Sequence, residues 1–212
     1  CTECGVPQPS EGITYRPVYD NNEIVSYCVK DGAGCADSNV VIADSYEGLP
    51  VTAVADAAFS GNKIIQTVFI PRSVLSIGSS AFFACVNLTE ATVGEGVKSI
   101  GDNAFAKCAS LKDIELPASV TALGTGVFWD CVSLEFVRIP DGVETLKADA
   151  FFGCLGLKSV ALGEGLKQIG ERAFCWCTAL YEVALPEGLT EIGDRAFGAC
   201  RALKRVTLSS TV

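Results

Sequence analysis

The 212-residue chain contains no histidine and no methionine. Without imidazole there is no Ser-His or Cys-His nucleophile pair and no imidazole metal site. With methionine missing and Cys1 in first place, the chain reads as a processed product from which a secretory leader has been removed. No uninterrupted apolar run approaches the roughly 18 residues that cross a bilayer, and no signal peptide remains at the start, so no transmembrane segment is expected. A basic excess is also missing. The net charge of −9 argues against nucleic acid, whose binding rests on phosphate neutralisation by Lys and Arg. The charge is uneven: residues 1–50 hold eight acids against Arg16 and Lys30, whereas residues 195–212 hold Arg195, Arg201, Lys204 and Arg205 with no acid.

What the chain has in abundance is repetition. Phe59, Phe82, Phe105, Phe128, Phe151, Phe174 and Phe197 follow one another at 23-residue intervals, so seven copies fill residues 51–212. A fixed period of this length marks a solenoid, in which stacking of neighbouring repeats makes the core. Leu111, Ile114, Leu116 and Val120 represent four apolar columns, and Ile114 and Leu116 alternate with Asp113 and Glu115. That period of two predicts a half-buried strand, and its stacked copies predict a parallel sheet. Pro71, Pro117, Pro140 and Pro186, or Gly94 and Gly163 in the same column, stop the strand. A second apolar column, Val54, Ile77, Ile100, Leu123, Leu146, Ile169 and Ile192, is usually followed by glycine and predicts a second short strand with a tight turn. The Ala-Phe dipeptide is read as a helical or 3₁₀ turn burying its ring between rungs.

Residues 1–12, with two prolines, read as an N-terminal arm. Residues 13–50 read as a β cap: β-branched and aromatic residues from Ile13 to Lys30 flank Asp20-Asn21-Asn22, the pattern of a β-hairpin that covers the outer side of the first turn.

The recurring LxxIxLPxxVxxIGxxAFxxC, nearly intact from Leu111 to Cys131 with Val127 in place of Ala, resembles the BspA-like, Treponema-type class of leucine-rich repeats. The resemblance implies a mostly β, right-handed, curved solenoid of secreted or surface-exposed proteins associated with adhesion and protein binding. It implies no catalytic residues.

Six cysteines, Cys85, Cys108, Cys131, Cys154, Cys177 and Cys200, sit three residues after the repeat phenylalanine, where the first copy has Asn62. A metal array would need ligands converging tetrahedrally rather than stacked in file, so they are read as a ladder of buried free thiols. Cys28 and Cys35 bracket a flexible VKDGAG loop and are candidates for a disulfide in an oxidising compartment. Cys1 and Cys4 form a single CxxC, read as a local or intermolecular disulfide; redox, zinc and lipid-anchor roles lack a second pair, a histidine or other supporting residues. GEG at 94–96 and 163–165 is a turn without the Lys-Ser/Thr of a phosphate loop. The chain is expected to be non-catalytic, with no cofactor and no metal.

Phe83, Trp129, Phe152 and Trp176 follow the repeat phenylalanine by one or two residues and form a candidate contact patch; the alternative is that they fill space beneath the turns. Asn87-Leu88-Thr89 is a candidate glycosylation site. Two functional readings result. In one, the basic last turn, with Arg195, Arg201, Lys204 and Arg205, meets the acidic N-terminal region of another copy and builds a head-to-tail extracellular filament. In the other, a monomeric cell-surface adhesin or receptor binds a protein partner.

Overall fold

A computed structural model describes residues 9–32 and 34–208, which contain strands and turns but no helix. The chain opens with a hairpin of β1 (Thr14–Asp20) and β2 (Glu23–Asp31). Asn21 and Asn22 both take left-handed φ, 47° and 66°, as a two-residue hairpin turn of matching twist requires. After β3 (Asn39–Val41) the chain makes a small second hairpin, with β4 (Ser45–Tyr46) antiparallel to the start of β5 (Leu49–Val54).

From there the chain climbs by alternating two kinds of strand. The longer series comprises β6 (Thr67–Ile70), β8 (Glu90–Val93), β10 (Asp113–Glu115), β12 (Phe136–Arg138), β14 (Ser159–Ala161), β16 (Glu182–Leu185) and β18 (Arg205–Leu208). The shorter comprises β7 (Ser76–Ile77), β9 (Ser99–Ile100), β11 (Ala122–Leu123), β13 (Thr145–Leu146), β15 (Gln168–Ile169) and β17 (Glu191–Ile192). Each long strand pairs in parallel with the strand 23 residues away, as in Glu90↔Asp113, so equivalent residues of successive repeats stand in columns. The inward residues of these columns, such as Ile114, Val137 and Val160, are buried. β2 pairs in parallel with β5, so the hairpin continues one of the two sheets and covers the first rung, with Tyr27 and Val29 entering the core.

The phenylalanine column is the spine of that core. Phe59 through Phe174 are each 0% exposed. Their rings, with that of Phe197, lie in parallel stacks with centroids 5.0–5.8 Å apart. A buried phenylalanine truncated to alanine costs about 3–5 kcal/mol, so this column is a principal source of cohesion between rungs.

The Ala-Phe segments form the third side of the solenoid. Each closes i→i+3 bonds of the 3₁₀ kind, as from the Phe83 and Cys85 amides to the Ser80 and Phe82 carbonyls. Consecutive turns do not merge into a helix, because the residues two before and two after each phenylalanine are left-handed: Ser80 and Ala84 in one repeat, Asn103 and Lys107 in the next. Left-handed residues turn every second amide outward to the next rung. Ser80, Phe82 and Ala84 donate to the carbonyls of Asp102, Ala104 and Ala106 at 2.7–2.8 Å. The turns thus form a hydrogen-bonded ribbon, and strain at non-glycine left-handed positions is offset by satisfied backbone groups.

Candidate interaction surface

The interior leaves little chemistry to spare. Each ladder thiol donates to the carbonyl of the phenylalanine one repeat earlier, from Cys85 Sγ to Phe59 O and onward to Cys200 Sγ to Phe174 O, at 3.1–3.2 Å. Burial raises these thiols, Cys85 to about 12 and the inner Cys108 well above its ordinary value. A thiolate nucleophile or metal ligand is therefore disfavoured at the ladder. Asn62 takes the ladder place in the first copy, its amide reaching the Cys35 carbonyl at 3.4 Å while its Oδ1 accepts from the Ile64 and Ile65 amides. Among the described residues no group of three or more Cys, Asp or Glu is arranged to hold a metal ion.

Cys28 and Cys35, the disulfide candidates, are free thiols in this structure. Tyr27 and Val29 join the core with Cys35, while Cys28 between them lies outside that cluster, near Arg16. Burial raises the Cys28 thiol, and Arg16 partly opposes the shift. Cys1 and Cys4 fall outside the described residues. Cys175, adjacent to the ladder but not part of it, is buried and unpaired with another cysteine.

The aromatic candidates stand on the flank made by the turn ribbon. Phe83, Trp129 and Phe152 share one column with Ala106, and Trp176 stands in the adjacent column. Because Ala106 is small, a slot opens between Phe83 and Trp129, and Lys107 fills it: its Nζ lies 5.9 Å from the Phe83 ring centre and 4.8 Å from that of Trp129. Trp129 and Phe152 border a hollow of about 380 Å³ with Asn103, Gly126, Asp149 and Arg172. Gly126 makes the room, since a Cβ there would sit 2.5 Å from Asn103 Oδ1. Arg172 grips Asp149 through two bonds of 2.8 Å, and this carboxylate holds the guanidinium firmly charged. Trp176 is 43% exposed, with the Arg201 guanidinium 5.6 Å from its ring.

Sequence reasoning found the aromatics and missed their partners Lys107, Gly126, Asp149 and Arg172. A signal existed in the columns two residues either side of the phenylalanine, where polar and glycine residues replace one another freely. The basic residues of the last repeat also have local partners: Arg205 reaches Glu182 at 3.3 Å, Arg195 reaches Asp194 at 3.8 Å, and Lys204 stands 5.7 Å from the Tyr181 ring. Asn87 is exposed, yet its Nδ2, the atom a glycan would occupy, donates to Lys63 O at 2.6 Å. The outward carboxylates Glu90, Asp113 and Glu115 face solvent on the long-strand sheet, as ordinary surface charge.

Stacked parallel strands, a phenylalanine spine and a turn ribbon on a 23-residue period define a leucine-rich-repeat solenoid. A model of the BspA-type leucine-rich repeat region matches six copies over residues 38–158 and 146–212, and the chain belongs to that family. It is similar to the leucine-rich repeat protein of T. pallidum, with 33% identity over 93% of this chain and 90% of that one and a TM-score of 0.87. It is also similar to a leucine-rich cell surface protein of Faecalibacterium prausnitzii, with 29% identity and a TM-score of 0.81; all of this chain covers 56% of that one. A leucine-rich repeat protein of Bacteroides ovatus shares the fold at 20% identity and a TM-score of 0.56, over 97% of this chain and 76% of that one. Among curated proteins none matches. The described residues contain no helix long and apolar enough to cross a membrane.

Proposed function

We propose that the chain is a non-catalytic, extracellular protein-interaction module that binds its partner along the flank carrying Phe83, Lys107, Trp129, Phe152 and Trp176. The supporting observation is the contrast between inside and outside. Interior columns are filled by their own phenylalanines and thiols, whereas the flank breaks its column pattern to present a half-buried Trp129 beside a polar hollow. Rigid aromatics next to arginine are the composition of interface hot spots. A surface location agrees with the kinship to the F. prausnitzii cell surface protein.

The adhesin or receptor reading is preferred to the filament. Arg195, Arg201, Lys204 and Arg205 each have a partner on their own flank, so they do not require an acidic end from another copy. The test is surface plasmon resonance of the purified chain against a panel of purified extracellular and cell-surface proteins. A bound partner should lose at least about ten-fold in affinity with Trp129→Ala/Phe152→Ala, because each hot-spot residue contributes about 2 kcal/mol or more, and should be indifferent to Glu90→Gln/Glu115→Gln. Equal binding by wild type and the aromatic double variant would overturn the proposal.

A further inference from the structure

Both sheets stop at the same junction. On the long-strand side the ladder runs β3-β6-β8-β10, breaks, and resumes as β12-β14-β16-β18. On the short-strand side it runs through β7-β9-β11, breaks, and resumes as β13-β15-β17. The turn ribbon does not break: Gly126, Phe128 and Asp130 donate to Ala148, Ala150 and Phe152 at 2.8–2.9 Å. The core registers the change, since Phe105 and Phe128 are the most widely spaced pair at 5.8 Å, and Phe128 tilts 15° and 18° from its two neighbours.

One residue accounts for the break. The position after the short strand is glycine at 78, 101, 124, 170 and 193, and lysine at 147; in the first copy it is Ala55, which stacks on the straight end of β2 rather than on a turn and donates to Val29 O at 2.8 Å. A Cβ at Gly78, Gly101, Gly124, Gly170 or Gly193 would lie 2.3–2.7 Å from a backbone nitrogen of the rung before. Lys147 carries that Cβ, so its rung cannot close to the usual distance. The amides of Gly78, Gly101, Gly124, Gly170 and Gly193 each donate at 2.7–2.8 Å to the preceding short strand, but among the described residues the equivalent bond from Lys147 to Leu123 is absent. A hollow of about 400 Å³, bounded by Thr121, Leu123, Glu144 and Lys147, marks the gap. Strands across it still have Cα atoms within 8 Å, which leaves no room for an inserted strand, since that needs about 9.6 Å.

We infer that the solenoid is two stacked blocks joined by a hinge, the seam lying between β10/β11 and β12/β13 and the axis along the intact turn ribbon. Bending opens the sheet side, and Lys147 acts as the wedge that forbids full closure. Because coupling in a solenoid passes only between neighbouring rungs, an interface whose sheet-side backbone bonds are reduced, among the described residues, to the one from the Glu135 amide to Lys112 O at 3.3 Å is where the array opens first. Trp129 and Phe152 sit beside the axis, so flexing changes the angle between Phe83 on one block and Trp176 on the other. The hinge stands whether or not the flank binds a protein.

Residue-resolved hydrogen exchange on the full chain tests this. The amides of Thr145 and Lys147 should exchange at least about ten-fold faster than those of Gln168 and Gly170. Lys147→Gly should slow them to the neighbours' level, while Lys147→Gln, which keeps the Cβ and removes the charge, should not. A Lys147 amide as protected as that of Gly170, or a junction unchanged by Lys147→Gly, would overturn the hinge.

Discussion

The junction between Ile100 and Leu123 and the junction between Leu123 and Leu146 are built from nearly the same residues, and only the first is closed by strand-to-strand hydrogen bonds. Gly124 follows the strand in one and Lys147 in the other. The difference teaches that rung spacing in this solenoid is set by the closest backbone approach rather than by the size of the apolar columns. Those columns are fully buried on both sides of the gap: Leu123 is 1% exposed and Leu146 0%. A small residue at the point of nearest approach therefore governs the ladder more than any large one in the core.

The comparison can be broken most severely through the spine. Phe151→Ala, between neighbours at 5.2 Å on each side, should cost about 3–5 kcal/mol, and Phe128→Ala, beside the widest gap, should fall toward the lower limit; urea denaturation of both variants compares them. Equal losses would mean that the core does not register the seam. Next in size, Gly101→Ala inserts a Cβ 2.6 Å from the Ser79 nitrogen at a closed junction. A loss of about 1–3 kcal/mol is expected, with fast exchange appearing at Ser99 and Ile100; an unchanged melting temperature would contradict the role assigned to glycine.

A third effect should ignore the seam. Cys131 and Cys154 donate to Phe105 and Phe128 at 3.1 Å, as elsewhere in the ladder. Burial raises these thiols, so their contribution is complete below the ordinary thiol pKa of 9.0 and is lost as pH climbs toward the folded values, about 12 for Cys85. Above pH 9 each buried thiol should subtract up to about 1.4 kcal/mol of stability per pH unit, measured as a falling urea midpoint. A midpoint flat to pH 10.5 would remove the thiols from the account. The smallest effect concerns charge: Lys147 lies 4.0 Å from Asp102, with both side chains more than half exposed. Lys147→Gln should change stability by no more than about 0.5 kcal/mol, separating the wedge from its ion pair.

Much of this was legible in the residues. The phenylalanine period, the alternation of Ile114 and Leu116 with acids, and the proline stops all report burial and chain direction, which are local properties repeated until they are unmistakable. The aromatic residues of the flank were legible as types, but their partners were not. Lys107 finds Phe83 and Trp129 across two rung spacings, a relation that depends on how successive rungs align. Likewise Cys35 joins the core cluster while Cys28, seven residues before it in the chain, does not.

By itself, then, the sequence determined the family, the rung and the composition of the core. Tertiary structure decided what passes between rungs: left-handed turns that hand every second amide to a neighbour, thiols aimed at the preceding phenylalanine carbonyl, and the seam at Lys147. The departure from glycine at 147 is visible in the sequence. Its consequence appears only when rungs stack and a single Cβ meets backbone less than 3 Å away, because that distance belongs to two segments 23 residues apart and to neither alone.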